Sequence, residues 1–285
     1  MARKWATGSG LRGSAGNRLV PGGSSSLVSA SHSHVNSRPT ESHVVGIIPA
    51  RWGSSRFPGK PLHLIGGKPL VQHVWERCGE CRLLDEVVVA TDDARIFAAC
   101  AGFGARVVMT RAEHPSGTDR LAEALVSLPR ATHVINIQGD EPLIDPELID
   151  ALAAAITANP AIDMATAANP MDPHDPAVND PNVVKVVTAL DGRALYFSRS
   201  PLPFFRSPVP GLPVLRHKGI YAYQRHFLER FVTWPPSPLE IAESLEQLRA
   251  LENSASILVL PTNDASPGVD TPAQALEVER LLAFR

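Results

Sequence analysis

Short, unbroken apolar runs alternate with stretches of helical spacing through the first half of this chain, and that alternation limits the fold more than any other feature. Residues 44–48, 86–90, 105–109 and 132–137 read as strands with almost no polar positions. Between and after them, residues 70–82, 94–102, 118–128 and 146–158 carry apolar residues at helical spacing, such as the stripe Leu148, Leu152, Ala155. A strand that is apolar throughout is buried on both faces. A mostly parallel sheet covered by helices on both sides supplies that environment. Local signals agree with this α/β expectation. Pro69 suits a first helical position, and Thr91-Asp92-Asp93 is an N-cap cluster ahead of the second helix. A short strand at 62–65 leads into a tight turn at Gly66-Gly67.

The style changes after the apolar run at 164–168. Residues 183–190 and 193–197 flank Asp191-Gly192, a strong hairpin signal. A Pro-rich loop follows at 201–213, then a strand at 215–223, a helix at 239–251, a strand at 257–260 and a closing helix at 271–282. This half reads as an antiparallel insertion, about 180–250, on the α/β core. The closing strand and helix return to the first sheet, so 43–285 is expected to be a single domain.

Residues 1–42 stand apart, with ten Ser, six Gly, five Lys or Arg and one acid, and no sustained periodicity. Such a segment is expected to be disordered. It reads equally as an organelle-type targeting segment or as a start-site artefact. The whole chain of 285 residues has a formal net charge of −2, which points to no nucleic acid partner. No apolar run has the length of a membrane span. Three cysteines in a chain of this size suit a reducing compartment better than a disulfide framework. Cys78-Gly-Glu-Cys81 is a lone C-x-x-C near a helix end, where two small helix residues are the simpler reading than a metal or redox site.

The chemistry is expected beyond the carboxyl ends of the strands, near the point where an open parallel sheet changes winding direction. The loop after the first strand carries Arg51, Arg56 and Lys60 among Gly, Ser and Pro. Small residues let backbone N–H groups approach phosphate oxygens, and the cations add charge and forked donors. It is neither G-x-x-x-x-G-K-[ST], since Pro61 and Ser54 break that pattern, nor G-x-G-x-x-G. A basic surface loop is the bland alternative. The fourth strand runs into Gln138-Gly139-Asp140-Glu141, where Asp140 suits a magnesium ligand facing a cationic loop, or a plain strand-ending turn. Asp270, in Gly268-Val269-Asp270-Thr271-Pro272, is a natural N-cap; it could share the ion if the last strand lies beside the fourth. The segment from His114 to Arg120 could read a base or ribose, or merely cap a helix. Arg216-His217-Lys218 suits an acidic sugar carboxylate, although for any one of them a solvated surface position is the simpler reading.

In order along the chain stand Ile48-Pro49-Ala50-Arg51, Ser55-Arg56-Phe57-Pro58-Gly59-Lys60-Pro61-Leu62, His114-Pro115-Ser116-Gly117-Thr118-Asp119-Arg120, Gln138-Gly139-Asp140-Glu141-Pro142, Arg216-His217-Lys218-Gly219-Ile220-Tyr221 and Gly268-Val269-Asp270. Together they resemble the 3-deoxy-manno-octulosonate cytidylyltransferase (CMP-KDO synthetase) family, over nearly everything from about residue 43 onward. The resemblance implies a Rossmann-like nucleotidyltransferase fold and transfer of CMP from CTP to KDO, releasing pyrophosphate, for lipopolysaccharide biosynthesis in Gram-negative bacteria. A related sugar acid, such as 8-amino-KDO or a sialic-acid-like nonulosonate, is the alternative acceptor. It further implies Arg51, Lys60, Asp140 and Asp270 as catalytic residues, with Mg²⁺ at Asp140 and Asp270. Ala50, Arg51, Lys60, His114, Ser116, Gly117 and Arg120 would bind CTP. Gln138, Arg199, His217, Tyr221 and Glu246 would bind KDO. A cytoplasmic homodimer, with no membrane and no nucleic acid partner, is implied as well. The chain departs from the family at the short 206–215 connection, at Leu202-Pro203-Phe204-Phe205 and at Lys218, which replaces a commonly apolar residue.

Overall fold

The structure is a computed structural model that describes residues 42–53, 57–207 and 209–283. The expectations for residues 1–41 and for Arg56 lie outside the described residues.

β1 (Val44–Ala50) is buried at all but one position and lies between β4 (Glu86–Thr91) and β6 (His133–Asn136), parallel to both. β5 (Arg106–Met109) extends the parallel set beyond β4. In chain order these strands stand third, second, first, fourth, so the winding reverses between β1 and β6. Loops leaving the carboxyl ends of β1 and β6 therefore diverge and leave a crevice.

The helices take opposite faces accordingly. α1 (Leu70–Gly79), α2 (Ala94–Gly102) and α4 (Pro146–Ala158) bury Val71, Val74, Ile96, Ile149 and Leu152 against one face. α3 (Gly117–Leu125) buries Leu121, Ala124 and Leu125 against the other. α2 starts where the side chain of Asp93 accepts from the backbone N–H groups of Arg95 and Ile96, as the cap signal indicates. The first helix begins after Pro69, which is its N-cap rather than its first residue. The strand expected at 62–65 is shorter: β2 (Leu64–Ile65) pairs with β3 (Lys68–Pro69) across a turn in which Gly66 and Gly67 both have positive φ.

The second half is woven into the sheet rather than appended to it. β7 (Met164–Met171), β8 (Lys185–Thr188), β9 (Ala194–Ser198) and the long β10 (Val214–Gln224) follow. β10 runs antiparallel between β6 and β7, in the middle of the sheet, and also holds β8, on which β9 pairs. The β8–β9 hairpin turns at Asp191-Gly192, where Gly192 has φ 83°. α5 (Arg225–Phe231) continues directly from β10. The helix expected over 239–251 is two helices, α6 (Pro238–Glu243) and α7 (Gln247–Glu252), separated where Ser244 turns left-handed at φ 51°. β11 (Ile257–Pro261) pairs in parallel with β7, and α8 (Pro272–Ala283) closes the described chain. No helix among the described residues is long and apolar enough to cross a membrane.

Candidate active site

β1 and β6 deliver their loops side by side, and two glycines make the approach possible. A Cβ on Gly139 would stand 2.9 Å from the Pro49 carbonyl oxygen, so only glycine lets the β6 loop lie against the end of β1. Gly59 has φ 70°, and a Cβ there would meet the Trp52 ring at 2.9 Å. The Trp52 ring in turn lies under the Arg95 guanidinium, 3.3 Å from ring centroid to Cζ. That packing anchors the base of the first loop, and a single 3₁₀ turn, Lys60–Leu62, then aims Lys60 inward.

Lys60 Nζ lies 2.7 Å from Asp140 Oδ2 and 3.2 Å from Asp270 Oδ1. In the sequence, a shared ion at Asp270 was conditional on the last strand lying beside the fourth, and it does not. β7 and β10 separate β11 from β6. β11 is nonetheless parallel to β6, because each of the two antiparallel pairings between them reverses the direction. Its loop thus leaves from the same end of the sheet, and the Val269 N–H donates to the Asp140 carbonyl at 2.8 Å.

Around these three side chains lies a cleft of about 320 Å³. Ala50, Arg51 and Lys60 line it from the β1 loop, Gln138 and Asp140 from the β6 loop, and Asp270 from the far side. His114, Ser116, Gly117 and Arg120 complete it. Every residue expected for the nucleotide or the ion therefore faces one space. Ser116 caps α3 by accepting from the Asp119 N–H, so the positive end of the helix opens on the cleft. Arg51 is exposed at its edge. Arg120 is buried and tied down, donating to Asp92 Oδ2 at 2.8 Å and to Thr110, which makes it a fixed wall rather than a mobile arm. His114 is held by Glu123.

Of the five residues expected for the sugar, Gln138 and His217 line two different cavities. Gln138 lines the cleft and donates to the Gly219 carbonyl at 2.9 Å. His217 faces a second cavity of about 650 Å³, bounded in part by the same two loops through Glu141 and Gly268. Its ring packs edge-on against Phe197 and lies 5.4 Å from the Tyr221 ring. Burial pushes the His217 imidazole down to about 3, so it is neutral, and pushes the Tyr221 phenol well up. Glu246 accepts from Thr118 Oγ1 at 2.6 Å, which joins it to the first turn of α3. Burial holds its carboxyl above the ordinary range. Arg199 is occupied with the backbone carbonyls of Glu243 (2.6 Å) and Pro181 (2.9 Å). Nor do Arg216, His217 and Lys218 act as a unit. Alternation along β10 turns His217 to the aromatic side, away from its two neighbours; Arg216 is exposed and Lys218 is buried against Glu141 and Asp264. Spacing alone had not singled out Glu141 or Asp264, because their partner is distant in the chain.

Among the described residues no group of three or more His, Cys, Asp or Glu could hold a metal. Cys78 is in the core, and burial raises the Cys81 thiol to about 12, so neither is a ready thiolate. The Asp140–Asp270 pair does suit a hard divalent cation. Both carboxylates aim an oxygen at one ammonium, and an all-oxygen donor set beside room for water and phosphate is what magnesium takes.

Comparison with known proteins places this geometry. The sequence model described as "Cytidylyltransferase" matches residues 45–257. A 3-deoxy-manno-octulosonate cytidylyltransferase from Geobacter sulfurreducens is 53% identical over 241 residues, spanning 81% of this chain and 95% of that one. One from Pseudomonas syringae pv. syringae is 52% identical over 248 residues, 83% of this chain and 96% of that one. A solved CMP:2-keto-3-deoxy-manno-octonic acid synthetase in complex with CTP superposes with a TM-score of 0.82 at 44% identity, covering 85% of this chain and 99% of the other. A 4-diphosphocytidyl-2C-methyl-D-erythritol synthase from Anaerococcus prevotii, at 14% identity and a TM-score of 0.57, shares the fold. With its strand order, its cleft at the winding reversal and these relatives, the chain belongs to the 3-deoxy-manno-octulosonate cytidylyltransferase family.

Proposed function

We propose that this protein transfers CMP from CTP to 3-deoxy-manno-octulosonate, releasing pyrophosphate and forming the activated sugar that lipopolysaccharide biosynthesis uses. The observation that carries the reading is the meeting of Lys60, Asp140 and Asp270 from three distant loops in one cleft beside the start of α3.

The anomeric hydroxyl oxygen of the sugar acid attacks the α-phosphorus. The bond from that phosphorus to the bridging oxygen breaks, pyrophosphate departs, and the hydroxyl proton passes to solvent. Such a displacement needs alignment and charge neutralisation rather than a covalent intermediate. Arg51 and Lys60 hold the triphosphate, with Lys60 free to exchange its carboxylate partners for phosphate oxygens. The N–H groups at the start of α3, with Ser116, Gly117 and His114, orient the nucleoside. Arg120, fixed by Asp92, shapes that wall. Asp140 and Asp270 would hold Mg²⁺, which would neutralise phosphate charge and make the attacking hydroxyl more acidic. Gln138 sits between the cleft and β10, where His217 and Tyr221 present a neutral, partly apolar surface to the sugar; Arg199 and Glu246 brace that region.

A homodimer in the cytoplasm belongs to the same reading. Phe204 and Leu212 on the Pro-rich connection, and Leu190 and Leu195 on the hairpin, are exposed and supply the apolar surface that a second copy would cover. Light scattering measures that mass. The test of the activity is pyrophosphate release over CTP and UTP against a panel of sugar acids. Release with CTP and 3-deoxy-manno-octulosonate above all other pairs supports the proposal. Faster turnover of an 8-amino or nonulosonate acceptor reassigns the sugar.

A further inference from the structure

On the wall of the second cavity another lysine spans the same two loops. Lys218 lies on β10 where the register to β7 slips, and its side chain is 8% exposed. Its ammonium is 3.0 Å from Glu141 Oε2, 3.0 Å from Asp264 Oδ2 and 2.7 Å from Ser266 Oγ. The side chains of Glu141 and Asp264 are 14% and 5% exposed, so all three charges are largely out of water. Ser266 Oγ also reaches Asp264 Oδ2 at 2.9 Å, and Asn169 Nδ2 pins the Thr262 and Asp264 carbonyls at 3.0 and 2.9 Å.

Glu141 follows Asp140 directly. Asp264 and Ser266 precede Asp270 on one short loop. Two buried carboxylates with no cation between them repel each other and carry a desolvation cost, relieved when one takes up a proton or when their loops move apart. That movement would separate Asp140 from Asp270. Lys60 cannot prevent it throughout the reaction, because Lys60 lies in the cleft where phosphate competes for it.

We propose that Lys218 is a positioning residue: its buried ammonium sets the spacing of the two loops so that Asp140 and Asp270 stay matched to one cation. This rests on the two-aspartate reading above.

The test uses Mn²⁺ as the probe, with binding to the metal-free full-length protein read by electron paramagnetic resonance. In Lys218→Met the Mn²⁺ affinity should fall about tenfold, as for loss of a group that orients metal ligands. Affinity for CTP without divalent ion should stay within about twofold. The kcat should fall with little change in KM, since spacing rather than substrate binding is lost. Lys218→Gln keeps a hydrogen-bond donor but leaves the two carboxylates without a cation. It carries the same test if Lys218→Met does not fold, and its Mn²⁺ affinity should also be reduced. Wild-type Mn²⁺ affinity in either folded variant overturns the proposal. Asp140→Asn is the control. If it binds Mn²⁺ as tightly as the wild type, the two-aspartate reading fails and takes this inference with it. If it loses Mn²⁺ while Lys218→Met does not, only the positioning role is wrong.

Discussion

Two lysines bridge the same two loops, and they differ in what surrounds them. Lys60 meets Asp140 and Asp270, whose side chains are 31% and 40% exposed, in a cleft open to ligand. Lys218 meets Glu141 and Asp264 on the wall of the second cavity, where the three side chains are only 5–14% exposed. Ion pairing in the open is weak and exchangeable, so a phosphate can take Lys60 at little cost. Ion pairing in the buried layer is weak as net stabilisation but costly to break, because the abandoned charge is left largely out of water. The same residue types thus serve as a moving part in one layer and as a fixed spacer in the other.

The largest effects should come from the open layer and appear in rate. Asp140→Asn and Asp270→Asn should each lower turnover about 10²- to 10³-fold while thermal denaturation stays close to wild type. Pyrophosphate release and a melting curve measure the two sides. A variant that loses rate and fold together would erase the distinction between the layers. Next comes stability. Lys218→Met should cost about 3–5 kcal/mol in urea unfolding, whereas Lys60→Met should cost about 0–1 kcal/mol. Equal losses would break the comparison.

A pH series sharpens it further. His217, beside Lys218 on β10, takes its proton only near pH 3 in the fold but near 6.5 when unfolded. The unfolded chain therefore binds the extra proton as pH drops below about 6.5. The stability due to the neutral imidazole is complete above that pH and is lost on falling toward 3. His217→Gln should flatten this decline by up to one proton, about 1.4 kcal/mol per pH unit, measured by urea unfolding between pH 7 and 5. An unchanged slope would show that the ring is not held neutral. The smallest expected effect is Ser266→Ala, which removes one hydrogen bond to Lys218 and should cost about 1 kcal/mol with KM unaltered.

Much of this was legible in the chain. The parallel strands could be read because they are mainly apolar, Val44–Ile48 and Val87–Ala90 throughout, and the Asp93 and Ser116 caps because capping is local. The cleft residues could be found because they lie in short ordered motifs. The rest depended on which strand sits beside which. Nothing local says that β10 enters between β6 and β7, so the route that brings Asp270 to Asp140 could be given only as a condition on strand order. The break at Ser244 was hidden because the apolar spacing of α6 and α7 continues across it. The Glu141–Lys218–Asp264 network was invisible for the same reason as the strand order: its members are polar residues distant in the chain, and only tertiary packing shows them to be buried partners. The five residues assigned to the sugar were carried by resemblance, because they come from places far apart in the chain: the end of β6, the end of β9, β10 and the start of α7.

The most direct measurement is pyrophosphate release by the full-length protein with each component left out in turn. The account predicts release only when CTP, 3-deoxy-manno-octulosonate and Mg²⁺ are all present, and near-complete loss of that release in Asp140→Asn. Folded protein that releases no pyrophosphate with all three present, or an Asp140→Asn variant that turns over like the wild type, would contradict it.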